Sequence, residues 1–435
     1  MRKAWLAAAC ALGLAAGWTV RAQEMDPLLK ILVENKVITE SQARAVQEEY
    51  VKRQAATETT MKESIEGGLD AKIKKSAPQI PSALKDLKIG GLWYLSYQNG
   101  NKYDGTPDET SVYSKFTVKR GYLNVEKKIT PWFSVRFTPD VTQDSTGDLK
   151  VRMKYVYAKF SGKGNNFFGK PYTEIGMVHM PWLDFEEHIN RYRMQDTMFM
   201  ERNGLFNSAD FGIMAGSNFG PELDEAFKKD VNDHYAGKYG SWQLGVFNGG
   251  GYHASEKNHN KVIEGRVTLR PLPEVIPGLQ ASYFFINGKG NVAEPQPPKE
   301  LPDYKVNAFM LSYEHKYVAL TGQYYTGKGN AKGDAVYASD GPGWKAGDAR
   351  KMKGYSYFAE VRFPESAKWS VIGRYDNFDK DKEDPDSDRQ KRTLFGVAYQ
   401  FHKGNYVLLD YESLDHRDKN IPNENRFQVT MQVKF

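Results

Sequence analysis

Between residues 87 and 435 the chain repeats one pattern. Segments about ten residues long alternate apolar and polar side chains, the period of a β-strand with two unlike faces. Phe133, Val135 and Phe137 oppose Ser134, Arg136 and Thr138. Ile263, Gly265, Val267 and Leu269 oppose Glu264, Arg266, Thr268 and Arg270. Trp369, Val371, Gly373 and Tyr375 oppose Ser370, Arg374 and Asp376. The last segment sets Phe427, Val429, Met431, Val433 and Phe435 against Gln428, Thr430, Gln432 and Lys434. The same reading puts Val151, Met153, Tyr155 and Tyr157 opposite Arg152 and Lys154.

A soluble antiparallel sheet alternates in this way too, so the connections decide. They are tight at Lys128–Pro131, Glu314–Lys316, Pro364–Lys368 and Lys403–Gly404. They are long and polar at Gly288–Asp303, Gly327–Lys351, Asp379–Lys391 and Asp415–Asn425. Short turns at one end, long loops at the other and a terminal aromatic residue that finishes a strand describe a transmembrane barrel. Inside lipid every backbone amide must be paired, so the sheet must close. The expected fold is all-β: a transmembrane antiparallel β-barrel with a short N-terminal helical segment. Both barrel ends lie at the turn end, so the strand number is even. Ala209–Gly216 and His234–Gly240 cannot both be full strands without spoiling the alternation of turns and loops. Read as one strand with a large insertion, they leave sixteen strands, with eighteen as the alternative, and an aqueous lumen.

Composition narrows the function classes. With 26% charged residues, the chain is too polar for a bundle of membrane helices, and its apolar share leans on 26 Tyr, 23 Phe and 8 Trp. One Cys excludes a disulfide framework, a Cys-ligated zinc or iron–sulfur site and a CxxCH haem attachment. A net charge of +6 is too small to argue for nucleic acid.

Residues 1–22 read as a cleaved export signal: Arg2 and Lys3, an apolar run from Trp5 to Val20, then Val20-Arg21-Ala22. The run is too short to anchor the chain comfortably, and Cys10 lies too early within it for a lipidation site. Residues 23–82 read as a periplasmic helical segment and linker. Leu28, Leu29, Leu32 and Val33 recur at helical spacing, and Thr39 with Gln42 forms a capping box that opens a helix from Glu40 to about Gln54. Ala43, Val46 and Tyr50 share one face of it. This pair of helices is a packing appendage or an oligomerisation handle, and Ser76–Ser82, with Pro78 and Pro81, leads to the barrel at 83–435.

Several barrel segments carry recognisable words. Lys119-Arg120 is followed by Gly121-Tyr122-Leu123; Leu149–Lys159 reads LKVRMKYVYAK; Gly176–Trp182 reads GMVHMPW; Phe199-Met200-Glu201-Arg202 is FMER; Trp242–Gly249 reads WQLGVFNG; Arg266–Pro271 reads RVTLRP. Together with Arg374-Tyr375 and the final RFQVTMQVKF, these resemble the phosphate-selective porin O and P family of Gram-negative bacteria. His179 stands where that family has Lys and Met180 where it has Glu. Gln195 replaces a basic residue before FMER, with Arg191 and Arg193 close by. The helical head is similar to an LLxxLVExGxIT segment of some members, with Asn35-Lys36-Val37 in the variable part. The resemblance implies an outer-membrane homotrimer that passes small anions, phosphate among them.

With the polar face inward, the candidate lumen cations are Lys115, Lys119, Arg120, Arg136, Arg152, Lys154, Arg266, Arg270, Arg362, Arg374 and Arg426. The facing acids are fewer: Glu126, Glu264, Glu360, Asp376, Asp410 and Glu412. Cation rings lower the barrier for anions in a narrow wet pore, although such charges also pair among themselves. Outward residues change parity at Lys119-Arg120-Gly121, and a bulge there would aim both cations inward. The segment Pro181–Phe206 is the loop expected to fold into the lumen, with Arg191, Arg193 and Arg202 at the constriction. No HExxH or phosphate-cradling glycine loop is present, and the scattered histidines and the DKDKEDPDSD run carry no metal-ligand spacing. The reading is therefore a porin for passive diffusion, mildly anion-selective, with no catalysis, cofactor or metal. The alternative is a barrel that sheathes a multihaem cytochrome, docked through the N-terminal helices. A soluble exported β protein is the third reading.

Overall fold

The computed structural model describes residues 25–76, 84–105, 109–144, 146–294, 300–363 and 367–435, with side chains omitted from 63 to 76. The expected signal peptide, and the linker beyond Ser76, lie outside the described residues. The chain divides into two units, Met1–Ser82 and Ala83–Phe435.

The first unit is helical. Helix α1 (Pro27–Glu34) is capped by Asp26, whose carboxylate accepts from the Leu28 amide at 2.8 Å, with Pro27 at its first position. Helix α2 (Glu40–Ser76) opens on the reciprocal Thr39/Gln42 box: the Thr39 amide donates to Gln42 Oε1 at 2.9 Å and the Gln42 amide to Thr39 Oγ1 at 3.3 Å. The helix continues past Gln54, because Ala55, Ala56, Met61 and Lys62 favour it and nothing there breaks it. Ala43 is buried, whereas Val46 and Tyr50 are exposed.

The second unit is a closed barrel of sixteen antiparallel strands. In order they are β1 (Leu87–Tyr103), β2 (Thr110–Thr130), β3 (Phe133–Gln143), β4 (Leu149–Ser161), β5 (Phe168–His179), β6 (Ala209–Phe219), β7 (Gly240–Phe247) and β8 (Val262–Leu269). Then come β9 (Leu279–Lys289), β10 (Asp303–His315), β11 (Val318–Lys328), β12 (Lys351–Arg362), β13 (Trp369–Asp379), β14 (Arg389–His402), β15 (Asn405–His416) and β16 (Glu424–Lys434). Each pairs with its sequence neighbours, and β1 closes on β16 through Trp93↔Val433 and Ser96↔Thr430. No described helix is long and apolar enough to cross a membrane.

The alternation resolves as expected for most strands. Phe137, Val267, Trp369 and Phe427 stand exposed on the outside, and Thr138, Arg266, Arg374 and Gln428 are buried inside. Two bulges change the parity. Tyr94 pairs with Arg120 and Leu95 with Val118, so Lys119 is the extra residue and projects inward beside Arg120. On β4, Thr138 pairs with Tyr155 and Pro139 with Met153, leaving Lys154 as the extra residue. Pro139 has no N–H for the ladder, which favours a bulge opposite it. The second bulge corrects the sequence assignment: Tyr155 and Tyr157 face the lumen with Arg152 and Lys154, and Val156 faces outward.

Of the segment His234–Gly240 only Gly240 belongs to a strand, as the first residue of β7, and 234–239 do not pair as one. Those residues end an insertion, 220–239, that joins β6 to β7 at the turn end and carries helix α5 (Glu225–Asp230). Gly220, at φ 72°, turns the chain out of the ladder, and Asp224 caps α5 by accepting from the Phe227 amide at 2.7 Å. Nitroxide labels at 135, 267 and 433 are expected to be relaxed by dissolved oxygen and shielded from polar quenchers; the reverse ordering would place the apolar face in water.

Candidate functional site: a basic lane beside an inward loop

Residues 180–208, between β5 and β6, fold into the barrel. They hold two short helices, α3 (Leu183–Ile189) and α4 (Phe199–Arg202). Trp182, Phe185, Phe199 and Met200 pack on Phe284, Val306, Met310, Tyr325 and Phe378 of β9–β13. Tyr192 and Met194 join Tyr94, Phe358, Ile372 and Leu408. Full burial of such side chains is worth about 1.5–3 kcal/mol each, so the docking is strong. On these strands the inward face is apolar where the loop sits. Gly354 of β12 makes room for it: a Cβ there would lie 2.8 Å from Phe199 Cζ.

The FMER word is the loop's anchor. Phe199 and Met200 are its buried plug. Glu201 accepts from Arg193 at 2.9 Å. Arg202 reaches Glu412 of β15 at 2.7 Å and Asp196 at 3.2 Å, and Arg426 of β16 binds the same two carboxylates at 3.2 and 2.7 Å. Arg193 also meets Glu187 at 2.7 Å. Arg191 lies 3.3 Å from both Glu360 and the Tyr406 hydroxyl. The three arginines expected at the constriction are therefore on the inward loop, each already ion-paired.

Four wall cations also have structural partners. Arg374 forks onto Asp376 at 2.7 and 2.9 Å and donates to the Thr197 carbonyl of the loop. Arg362 pairs with Glu360 and with the His315 and Lys316 carbonyls. Arg266 is fully buried under the loop. It donates to the Pro181 carbonyl, Ser241 and Gln243 and lies 4.2 Å from the Phe185 ring centre. Arg270 donates to the Gly237 and Pro277 carbonyls. These residues brace backbone rather than face open water.

The remaining cations gather on β2–β4, beside the docked loop. Lys119 donates to the Met194 and Gln195 carbonyls at 3.0 and 3.1 Å. Arg120 and Arg152 share Asp140 at 3.5 and 3.0 Å. Lys154 donates to the Tyr122 hydroxyl at 3.1 Å and lies 4.5 Å from that ring's centre. Arg136 rests 4.7 Å from the Tyr155 ring and donates to Asn124 at 2.8 Å. It also meets His179 Nε2 at 3.2 Å. That nitrogen then accepts, which leaves His179 Nδ1 to donate to Glu174 at 3.2 Å. Lys115 is exposed towards the loop end, near Tyr113. Arg136 and Arg152 keep 21% and 31% side-chain exposure, and Arg191 on the loop 32%, against 13% and 17% for Lys119 and Arg120 and 8% for Arg193 and Arg202; Lys154 is buried, so Arg136 and Arg152 are the water-facing cations of the lane. Below it a cavity of about 760 Å³ opens at the turn end, bordered by Lys88, Lys128, Arg136, His179 and Tyr235. Tyr122, Tyr155 and Tyr252 enter the lane although sequence reading left them out. The signal for Tyr155 was Pro139 on the neighbouring strand.

Replacing Glu412 by Leu takes from Arg392 the carboxylate it binds and leaves Arg202 and Arg426 to share Asp196 alone. Losing one partner of such a network costs about 3–5 kcal/mol, and the expected lower urea midpoint is read from tryptophan fluorescence of the folded barrel. An unchanged midpoint would show that the network does not hold the loop.

No protein-family model and no curated protein sequence matches the chain. Solved structures do. The anion-selective porin from Comamonas acidovorans aligns with a TM-score of 0.51 at 12% identity, over 80% of this chain and 99% of that one. OmpF from Salmonella typhi, in complex with daunomycin, aligns with a TM-score of 0.51 at 12% identity, over 80% and 97%. At such identity the likeness is one of fold, and the chain has the sixteen-stranded closed-barrel fold that porins of the outer membrane share.

Proposed function

We propose that the chain is an outer-membrane channel for passive diffusion of small solutes, with a mild preference for anions. The carrying observation is the lane on β2–β4. Lys119, Arg120, Arg136, Arg152 and Lys154 project there, and the acids of the same strands are Glu126 and Asp140. Low-dielectric walls concentrate such a field in the narrow water path. The turn end faces the periplasm, as in barrels of this kind, and export is supplied by the N-terminal signal. A homotrimer and a periplasmic role for the helical unit complete the reading. Phosphate is a candidate solute on the strength of the FMER and RVTLRP words. His179, where the resembled family has lysine, argues for a broader anion range. The channel reading includes no catalytic step.

The cytochrome-sheath alternative is disfavoured by the inward loop. Trp182, Phe185, Phe199 and Met200 occupy the space a partner would need, and their burial would have to be undone.

Reversal potentials across asymmetric chloride and phosphate solutions test the proposal. The Arg152→Met/Lys154→Met double variant is expected to lower the anion-to-cation permeability ratio about threefold, because it removes two of the lane's charges. Asp140→Asn is expected to raise it. No shift in either variant would refute the lane as the conducting path.

A further inference from the structure

The insertion 220–239 is not needed to join its strands. Phe219 of β6 and Gly240 of β7 pair directly, and a tight turn would connect them. Instead the insertion enters the lumen from the turn end and meets the inward loop. The Tyr235 hydroxyl donates to Asp184 of α3, and the Tyr235 ring stands edge-on to Phe185 at 5.6 Å. Asn232 donates to the His188 carbonyl at 3.1 Å and to Glu314 at 2.8 Å. The His188 and His234 rings stack with centres 3.6 Å apart. From the wall, Arg266 covers Tyr235 at 4.6 Å, and Arg270 holds the Gly237 carbonyl and the Phe227 ring. Asp184, His188, His234 and Tyr235 border the turn-end cavity, so this contact sets the width of the mouth.

We propose that segment 220–239 is a gate at the turn end, held against the inward loop by the His188–His234 stack and released by acid. The gate rests on the passage proposed above. Two protonated imidazoles stacked at this separation repel each other, whereas an imidazole free in water takes a proton near pH 6.5. The charged groups around the pair are Asp184 on α3, 3.9 Å from His188 Nδ1, and Asp233, 2.8 Å from His234 Nδ1. Glu314 of β10 is reached through Asn232, and His179 of β5 lies 3.7 Å from Asp184; Arg266 and Arg270 stand behind, and the Lys434 charge is also felt. Asp184 is shared with His179 and Tyr235. Asp233 is 71% exposed, so water screens its pull. His234, in the turn segment, keeps 51% side-chain exposure, so water screens it as well; it is pushed down to about 4 by the hydration lost on its stacked face and next by His188, against Asp184 and Asp233. The shut state therefore binds fewer protons than the released state as pH falls from about 6.5 towards 4. Acid favours release, by up to about tenfold per pH unit for one proton.

Release would uncover Ala236, now 1% exposed. The test uses the full chain with Cys10→Ser and Ala236→Cys, and reads maleimide labelling relative to an exposed Ala338→Cys reference at pH 7.5 and 5.5. The expected labelling ratio rises at least about fivefold at pH 5.5, and stays low at both pH values when His234→Phe keeps the ring without the proton. A flat ratio, or a rise that persists in His234→Phe, would overturn the gate. If Ala236→Cys fails to fold, hydrogen exchange of 220–239 in the unaltered chain, corrected for intrinsic rates, reads the same release, and equal protection at both pH values overturns it. Bilayer conductance measured alongside separates the two claims. Acid-dependent labelling in a non-conducting protein keeps the acid-released contact and refutes the channel.

Discussion

An unpaired backbone amide in hydrocarbon costs several kcal/mol, and the rest of this structure depends on avoiding that cost. The sheet closes through β1 and β16, where Gly91 and Phe435 exchange backbone hydrogen bonds of 3.0 and 3.2 Å. Closure fixes an inside and an outside, and each strand then presents one face to each. Everything that gives the lumen its character follows from which residues are left facing in.

The lumen is divided by what those residues are. Over β9–β13 the inward face sets Phe284, Val306, Met310, Tyr325 and Phe378 among buried polar residues such as Gln323, Glu360 and Arg374 and holds the folded loop, so that half is closely packed protein. Over β2–β4 it is basic and tyrosine-lined, and Arg136 and Arg152 reach water there. The ion network of Arg202, Asp196, Glu412 and Arg426 lies between the two and ties the loop to the wall. Buried charges of this kind are costly when one partner is lost and modest in net stabilisation when complete. Their role here is to fix the loop in one place, and that placement sets the width of the lane.

Much of the barrel was legible in residue order. The alternation of Val267 with Arg266, or Met431 with Thr430, is a period-two signal that only a sheet with unlike faces satisfies. The parity change at Lys119 announced its bulge, because the outward residues on either side were both apolar. Tyr155 and Tyr157 were not legible in this way, since the bulge that turns them inward answers Pro139 on another strand. His234–Gly240 misled because a short aromatic stretch in an insertion has the same local look as a weak strand.

The sequence by itself determined the fold class, the even strand number, the two unlike ends and the presence of inward cations, because these depend on local periodicity and on the fixed demands of lipid. Only the tertiary structure decided what each cation does. Arg266 and Arg270 look equivalent to Arg136 and Arg152 along the chain, yet the first pair braces the carbonyls of Pro181 and Gly237 while the second borders water. A charge's role depends on the partners and the solvent that reach it, and those come from segments far away in sequence.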